Sequence, residues 1–200
     1  PTLIPPLSIP LLVQFRFPPI SILIVLAILI LFVTTILAPI DRFLITALIP
    51  SFSLIYLGLF PTTLLLLRRI DLYLALTPIL ITWVSDTGAY LIGAAIGRHR
   101  LAPVLSPRKS WEGLLGGIIT GLLTALLLGL IFPYETSPRL LIAGITIPII
   151  ALLGDLFESG LKRQFGVKDT STLLPGHGGV LDRIDSLLLV IPYFYLLVIL

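Results

Sequence analysis

The chain has 200 residues, of which 57% are hydrophobic and only 12% charged, with a formal net charge of +3 and a mean hydropathy of +1.13. Charge that sparse cannot cover a water-facing surface, where about 25% is usual, so the lipid bilayer is the solvent that suits the chain. The small positive balance argues against a nucleic-acid-binding face, and the absence of Cys excludes disulfides and thiolate metal sites.

In chain order, segment 1–15 is apolar but broken by Pro1, Pro5, Pro6 and Pro10, and reads as the remnant of an earlier span. There is no Met, even at position 1, so further N-terminal spans are expected ahead of it. Hydropathy and punctuation by Pro, Gly and charge then predict an all-α, polytopic integral membrane protein with about six transmembrane helices, at roughly 17–38, 43–67, 72–97, 112–132, 139–156 and 186–200. Continuous apolar runs favour helices over a barrel, whose strands would alternate polar and apolar residues. Pro50, Pro61, Pro78, Pro148 and Pro192 fall inside these spans, where neighbouring helices can satisfy the freed carbonyls. Residues 1–200 read as a single integral-membrane catalytic domain, with no internal repeat and no cleavable secretory signal.

The few charges are concentrated. Residues 86–112 hold six and residues 155–185 hold nine of the chain's 23, which marks polar segments at 85–113 and 154–186 as the places for chemistry. Six spans put alternate connections on opposite sides. Nine basic residues, among them Arg98, Arg108, Lys162 and Arg183, then share one side, against Arg16, Arg68, Arg69 and Arg139 on the other. The positive-inside rule makes the first side cytoplasmic.

If the span ending near 156 continues as helix, Asp155, Glu158 or Ser159, and Lys162 recur along one face. Gly176, Gly178 and Gly179 around His177 make a turn whose backbone N–H groups can cradle an anion, and Asp182 and Asp185 open the next helix on a shared face. Hard carboxylate oxygens suit Mg²⁺, while Lys162, Arg163, Lys168 and Arg183 can neutralise phosphate. A solvated loop with ordinary ion pairs is the plainer alternative. Asp86, midway along its span, needs a polar cavity or a hydrogen-bonding partner. Gly93 and Gly97 suit helix packing, and Trp111 suits an interfacial anchor.

The order of residues at 159–185 resembles the phosphatidate cytidylyltransferase (CDP-diacylglycerol synthase) family. It matches the family's pattern at Ser159, Leu161, Lys162, Arg163, Lys168, Asp169, Ser171, Leu174, Pro175, His177, Gly178, Gly179, Val180, Asp182, Arg183, Ile184 and Asp185. The run Ser85-Asp86-Thr87-Gly88-Ala89-Tyr90 and the stretch Ser106 to Gly113 also fit, with Arg108 and Ser110 where Lys and Thr are commoner. The resemblance covers residues 55–200 or so and implies that Asp155 and Asp182 bind Mg²⁺, with a monovalent cation such as K⁺ beside it. It further implies catalytic roles for Lys162, Arg163, Lys168, Asp169, His177, Arg183 and Asp185, and substrate contacts at Asp86, Ser106, Arg108, Lys109, Glu112, Ser159, Gly178 and Gly179. His177 suits a phosphate donor or loop-orienting group better than a base, since a phosphate monoester already offers an anionic oxygen.

The reaction implied converts CTP and phosphatidate to CDP-diacylglycerol and pyrophosphate, in a bacterial inner membrane with the polar segments toward the cytoplasm. CTP, phosphatidate and the bilayer are the implied partners, nucleic acid is not among them, and a homodimer stays open. A cytidylyltransferase acting on an isoprenoid-ether lipid phosphate, a polyprenol kinase and an ion or solute transporter using Asp86 and Asp155 are the alternatives. No Walker-type glycine-rich loop is present to support a P-loop kinase.

Overall fold

The computed structural model describes residues 18–37, 40–132, 137–173 and 178–200. Six helices dominate it: α1 (Pro18–Leu37), α2 (Phe43–Ile70), α3 (Leu72–Ile96), α4 (Trp111–Ile131), α5 (Pro138–Gln164) and α6 (Leu181–Ile199). The internal prolines at 50, 61, 78, 148 and 192 all lie within helices, as read from sequence. Side-chain caps set three of the starts. The Asp71 carboxylate accepts from the Tyr73 N–H before α3, and the Ser110 and Ser137 hydroxyls accept from Gly113 and Leu140 N–H before α4 and α5.

Four helical stretches are long and apolar enough to cross a membrane among the described residues: Ile45–Ile70, Leu72–Ile96, Trp111–Ile131 and Pro138–Gln164. These make the chain an all-α, polytopic integral membrane protein. About six crossings were expected, and α1 and α6 stand outside these four. Helix α1 runs over 20 residues, Pro18–Leu37, of which the apolar stretch Ile24–Leu37 is counted among the described side chains. Helix α6 carries Asp182, Arg183 and Asp185 in its first turns, ahead of an apolar run that begins at Ser186.

Helix α5 runs eight residues past the span expected to stop at 156, because charge ends a hydropathy signal without ending a helix. The Lys162 ammonium donates to Glu158 one turn earlier, which supports the added turns. The helix closes at Gly166, whose φ of 67° is the left-handed conformation that favours glycine, with its N–H on Arg163 O and the Val167 N–H on Lys162 O.

The connection between α3 and α4 contains an element the sequence did not announce. Strands β1 (Arg100–Ala102) and β2 (Ser106–Ser110) form an antiparallel ribbon, pairing Arg100 with Ser110 and Ala102 with Ser106 around an irregularity. Leu105 at its turn faces α5, where a Cβ on Gly160 would lie 3.8 Å from the leucine side chain.

The core runs between α2, α3, α4, α5 and α6 around Leu67, Ile81, Ala125, Ile147 and Ile191, all buried. Small residues let the backbones approach. A Cβ on Gly121 would stand 2.6 Å from Gly144 O, and one on Gly93 would reach 3.4 Å from the Gly113 Cα. Close packing of this kind holds helices together where lipid removes the hydrophobic drive. Large apolar side chains such as Leu65, Trp83, Leu91 and Leu123 point outward, as a lipid-facing surface requires.

Candidate functional site

Successive helices reverse direction, so the α3–α4 connection and the α5–α6 connection arrive at the same end of the bundle. Both predicted polar segments meet there. The Lys109 ammonium on β2 donates to Asp155 Oδ2 on α5 at 2.6 Å, tying residues 46 positions apart in sequence. Asp155 takes its other contact from the Ser159 hydroxyl, at 3.3 Å on Oδ1. Lys109, Asp155 and Asp185 are the charges close enough to act on Asp86, so α3, α5 and α6 each turn a carboxylate toward one region.

A glycine makes that convergence possible. A Cβ on Gly154 would stand 2.9 Å from Asp185 O and 3.1 Å from the Ser186 Cα, so α5 and α6 touch backbone to backbone beside Asp155. Asp185 itself accepts from the Ser186 N–H at 2.6 Å.

The second arrangement surrounds Asp182. Its Oδ1 accepts from the Lys162 ammonium at 2.9 Å, and its Oδ2 from the Thr170 N–H at 2.9 Å, the Thr170 hydroxyl at 2.7 Å and the Gly179 N–H at 2.7 Å. Burial works against the charge, yet the ammonium, the hydroxyl and the two amides outweigh it and hold the Asp182 carboxyl well below the usual carboxylate range. Gly178 has a φ of 79°, and a Cβ there would crowd Asp182 Oδ2 at 3.2 Å and Asp169 at 3.5 Å. Glycine at 178 is thus required twice, by conformation and by space.

Lys162 also donates to Glu158 Oε2 at 3.0 Å. Glu158 is 1% exposed, its Oε1 has no donor among the described residues, and its side chain interacts with that of Asp185. Glu158 was not among the predicted site residues. Its sequence signals were the i,i+4 spacing to Lys162 and the i,i+3 spacing from Asp155.

A cavity of about 350 Å³ opens between α3, α4, α5 and the ribbon. Arg100, Arg108 and Lys109 stand on its ribbon side, Ser85 and Asp86 on α3, and Pro148 on α5. Asp86 therefore has the polar cavity that an acidic residue deep in a span requires.

The remaining predicted residues are less closely joined. Ser106 is half-buried at the turn end of β2, and Arg108, exposed, accepts through its backbone oxygen from the Arg100 guanidinium at 3.5 Å. Glu112 turns back to the α3 end, accepting from the Arg98 and His99 N–H groups at 3.1 and 3.2 Å, with His99 Nδ1 at 2.6 Å. That geometry anchors the ribbon to α4. Arg163, Lys168 and Arg183 are exposed at the same end, and His177 lies outside the described residues.

No three Asp, Glu or His side chains form a ready metal cage among the described residues. Mg²⁺ does not need one, since it binds through one or two carboxylates and keeps water and substrate phosphates as its other ligands. Asp155 fits that demand, being a quarter exposed and bonded, among the described residues, to a lysine and a weakly held hydroxyl. Asp182 has both oxygens engaged and accepts a metal only by giving up part of its cage.

Fold and site together define an integral membrane protein with a mixed basic and acidic end suited to phosphate groups and a hard cation. The chain belongs to the cytidylyltransferase family, whose sequence profile matches residues 7–200. It is similar to the phosphatidate cytidylyltransferases of Staphylococcus saprophyticus (41% identical over 74% of this chain and 57% of the relative) and Staphylococcus haemolyticus (43% over 66% and 51%). That of Staphylococcus epidermidis is 45% identical over 60% of this chain and 46% of the relative. The chain spans about half the length of the curated relatives it matches. An isoprenoid-ether lipid enzyme, a polyprenol kinase and a transporter are not favoured by these likenesses.

Proposed function

We propose that the protein transfers the cytidylyl group of CTP to phosphatidate, giving CDP-diacylglycerol and pyrophosphate. The observation that carries this reading is the meeting of the two polar segments through Lys109 and Asp155, beside a cavity set between membrane helices. A lipid phosphate must reach a charged centre while its acyl chains stay in hydrocarbon, and such a cavity meets that demand. The names of the similar proteins support the same substrate pair.

In the reaction a phosphatidate oxygen attacks the α-phosphorus of CTP in line, and the bond from that phosphorus to the β-phosphate bridging oxygen breaks. Arg108, Lys109 and Arg100 at the cavity suit the lipid phosphate, and Arg163, Lys168 and Arg183 suit the triphosphate. Asp155 and Asp182 would hold Mg²⁺, with a monovalent cation such as K⁺ as a second ion. Bound Mg²⁺ supplies charge neutralisation on the phosphate oxygens. Lys162 keeps Asp182 oriented through its shared bond with Glu158. Catalysis on this reading is positioning and electrostatics, with no proton for His177 to remove. The setting proposed is a bacterial inner membrane, with the polar end facing cytoplasmic CTP and 1–200 acting as one catalytic domain.

Pyrophosphate release from CTP by the purified full-length protein in detergent tests the reading. Release should require both phosphatidate and Mg²⁺, and Asp155→Asn should abolish it in a protein that still folds. A folded protein that releases no pyrophosphate under these conditions overturns the proposal.

A further inference from the structure

Asp155 and Asp182 each bond a lysine ammonium, but the two lysines are held differently. Lys162 bridges Glu158 and Asp182 and is 16% exposed, between partners of 1% and 8% exposure. Lys109 has Asp155 as its ion-pair partner, at 33% and 25% exposure, and projects from a short ribbon rather than a membrane helix. The same ammonium acts on Asp86, which also feels Asp155 and Asp185. Among the described residues Lys109 is the cation that acts on Asp86 and Asp155, while Lys162 acts on Asp185, and water can reach Lys109. A divalent cation brings twice the charge to the same oxygens without a tether.

Lys109 also has somewhere to go. It lines the cavity with Arg108 and Arg100, so leaving Asp155 places its ammonium beside two guanidinium-bearing side chains and not in hydrocarbon. Three cations drawn together there repel one another unless an anion joins them, which is the condition a phosphate satisfies.

We infer that Lys109 is the resident cation of Asp155 and that a divalent ion displaces it into the cavity, where it becomes a ligand of substrate phosphate. This rests on the reading of Asp155 as a metal ligand. It makes metal binding and phosphate binding cooperative through one side chain, since each removes a competitor of the other.

Mn²⁺ serves as the probe, its free concentration followed by electron paramagnetic resonance, on full-length protein in detergent without nucleotide or lipid. K109Q should bind Mn²⁺ about fivefold more tightly than the unaltered protein, the scale expected from losing a part-exposed competing pair. In the unaltered protein, Mg²⁺ should raise the rate at which an amine-acylating reagent labels Lys109, read by mass spectrometry. D155N should lose the Mn²⁺ site and label fast without Mg²⁺.

Equal or weaker Mn²⁺ binding by K109Q, or labelling of Lys109 that Mg²⁺ leaves unchanged, overturns the displacement while the metal site at Asp155 stands. Mn²⁺ binding that D155N retains, or that no form shows, overturns the metal assignment and this inference with it.

Discussion

The ribbon corner around Lys109 and the loop corner around Lys162 use the same pair of residue types to opposite ends. At Lys162 the ammonium has two carboxylates, one of them fully buried, and the Asp182 it meets is tied by three further donors. At Lys109 the ion-pair partner among the described residues is one carboxylate, Asp155, a quarter exposed. An ion pair of the first kind costs several kcal/mol to break, because it strands a charge out of water, whereas an exposed pair is worth about 1 kcal/mol or less. Built-in stiffness therefore belongs at Lys162, and exchange belongs at Lys109.

The sharpest way to break that contrast is Asp182→Asn. It removes the charge that four donors converge on, and pyrophosphate release should fall by about two to three orders of magnitude, a loss typical of removing a preorganised electrostatic element. Its carboxyl is held below the ordinary range in the folded state, so its contribution to stability is present above about pH 4 and fades as pH falls through the lowered value. The acid limb of unfolding should accordingly be flatter in Asp182→Asn, and an unchanged limb would show that the cage is not stabilising.

Glu158→Gln comes next. It leaves Lys162 with one charged partner in a buried setting, and should lower stability by up to about 3 kcal/mol, read as a drop in Tm in detergent. A Tm equal to that of the parent would place the two corners on the same footing. Gly154→Ala puts a methyl against Asp185 and Ser186 backbone atoms that cannot swing away, and should cost about 1–3 kcal/mol. Turnover should fall further than stability explains, because Asp155 and Asp185 are parted. The smallest stability effect is expected for Lys109→Gln, within about 1 kcal/mol by thermal unfolding, even though its turnover falls.

Much of the fold was legible because lipid imposes a simple rule on sequence. The readings 72–97 and 112–132 met helices at Leu72–Ile96 and Trp111–Ile131, since apolar runs there are bounded sharply by Asp71, Arg98 and Glu112. The rule fails where a helix continues through charged residues, as α5 does beyond 156 and α6 does before 186. It is silent about the ribbon, whose eight strand residues include Pro107 and show no sustained alternation. The ordered motif marked Lys162, Asp182, Gly178 and Gly179 as belonging together, and local spacing was enough, because all lie within one connection and the helix ends beside it. The partnership of Lys109 with Asp155 was not legible, since it depends on how α3, α4 and α5 pack. Glu112 shows the converse: a charge beside a candidate site spends its oxygens on the Arg98 and His99 amides, which composition alone does not reveal.

The rings of Phe52, Tyr56 and Phe157 cluster between α2 and α5 with centroids 5.4–5.7 Å apart, and Tyr56 feels the charge of Glu158. Through Tyr56 this aromatic wall borders Glu158, the buried end of the Lys162 bridge, and acts as electrical insulation there. Poorly screened on that flank, the fields of Glu158, Lys162 and Asp182 keep more of their strength than they would in water. A polar residue admitted into the wall would act as a leak: without touching any charged group, it would weaken their grip on one another by letting water share it.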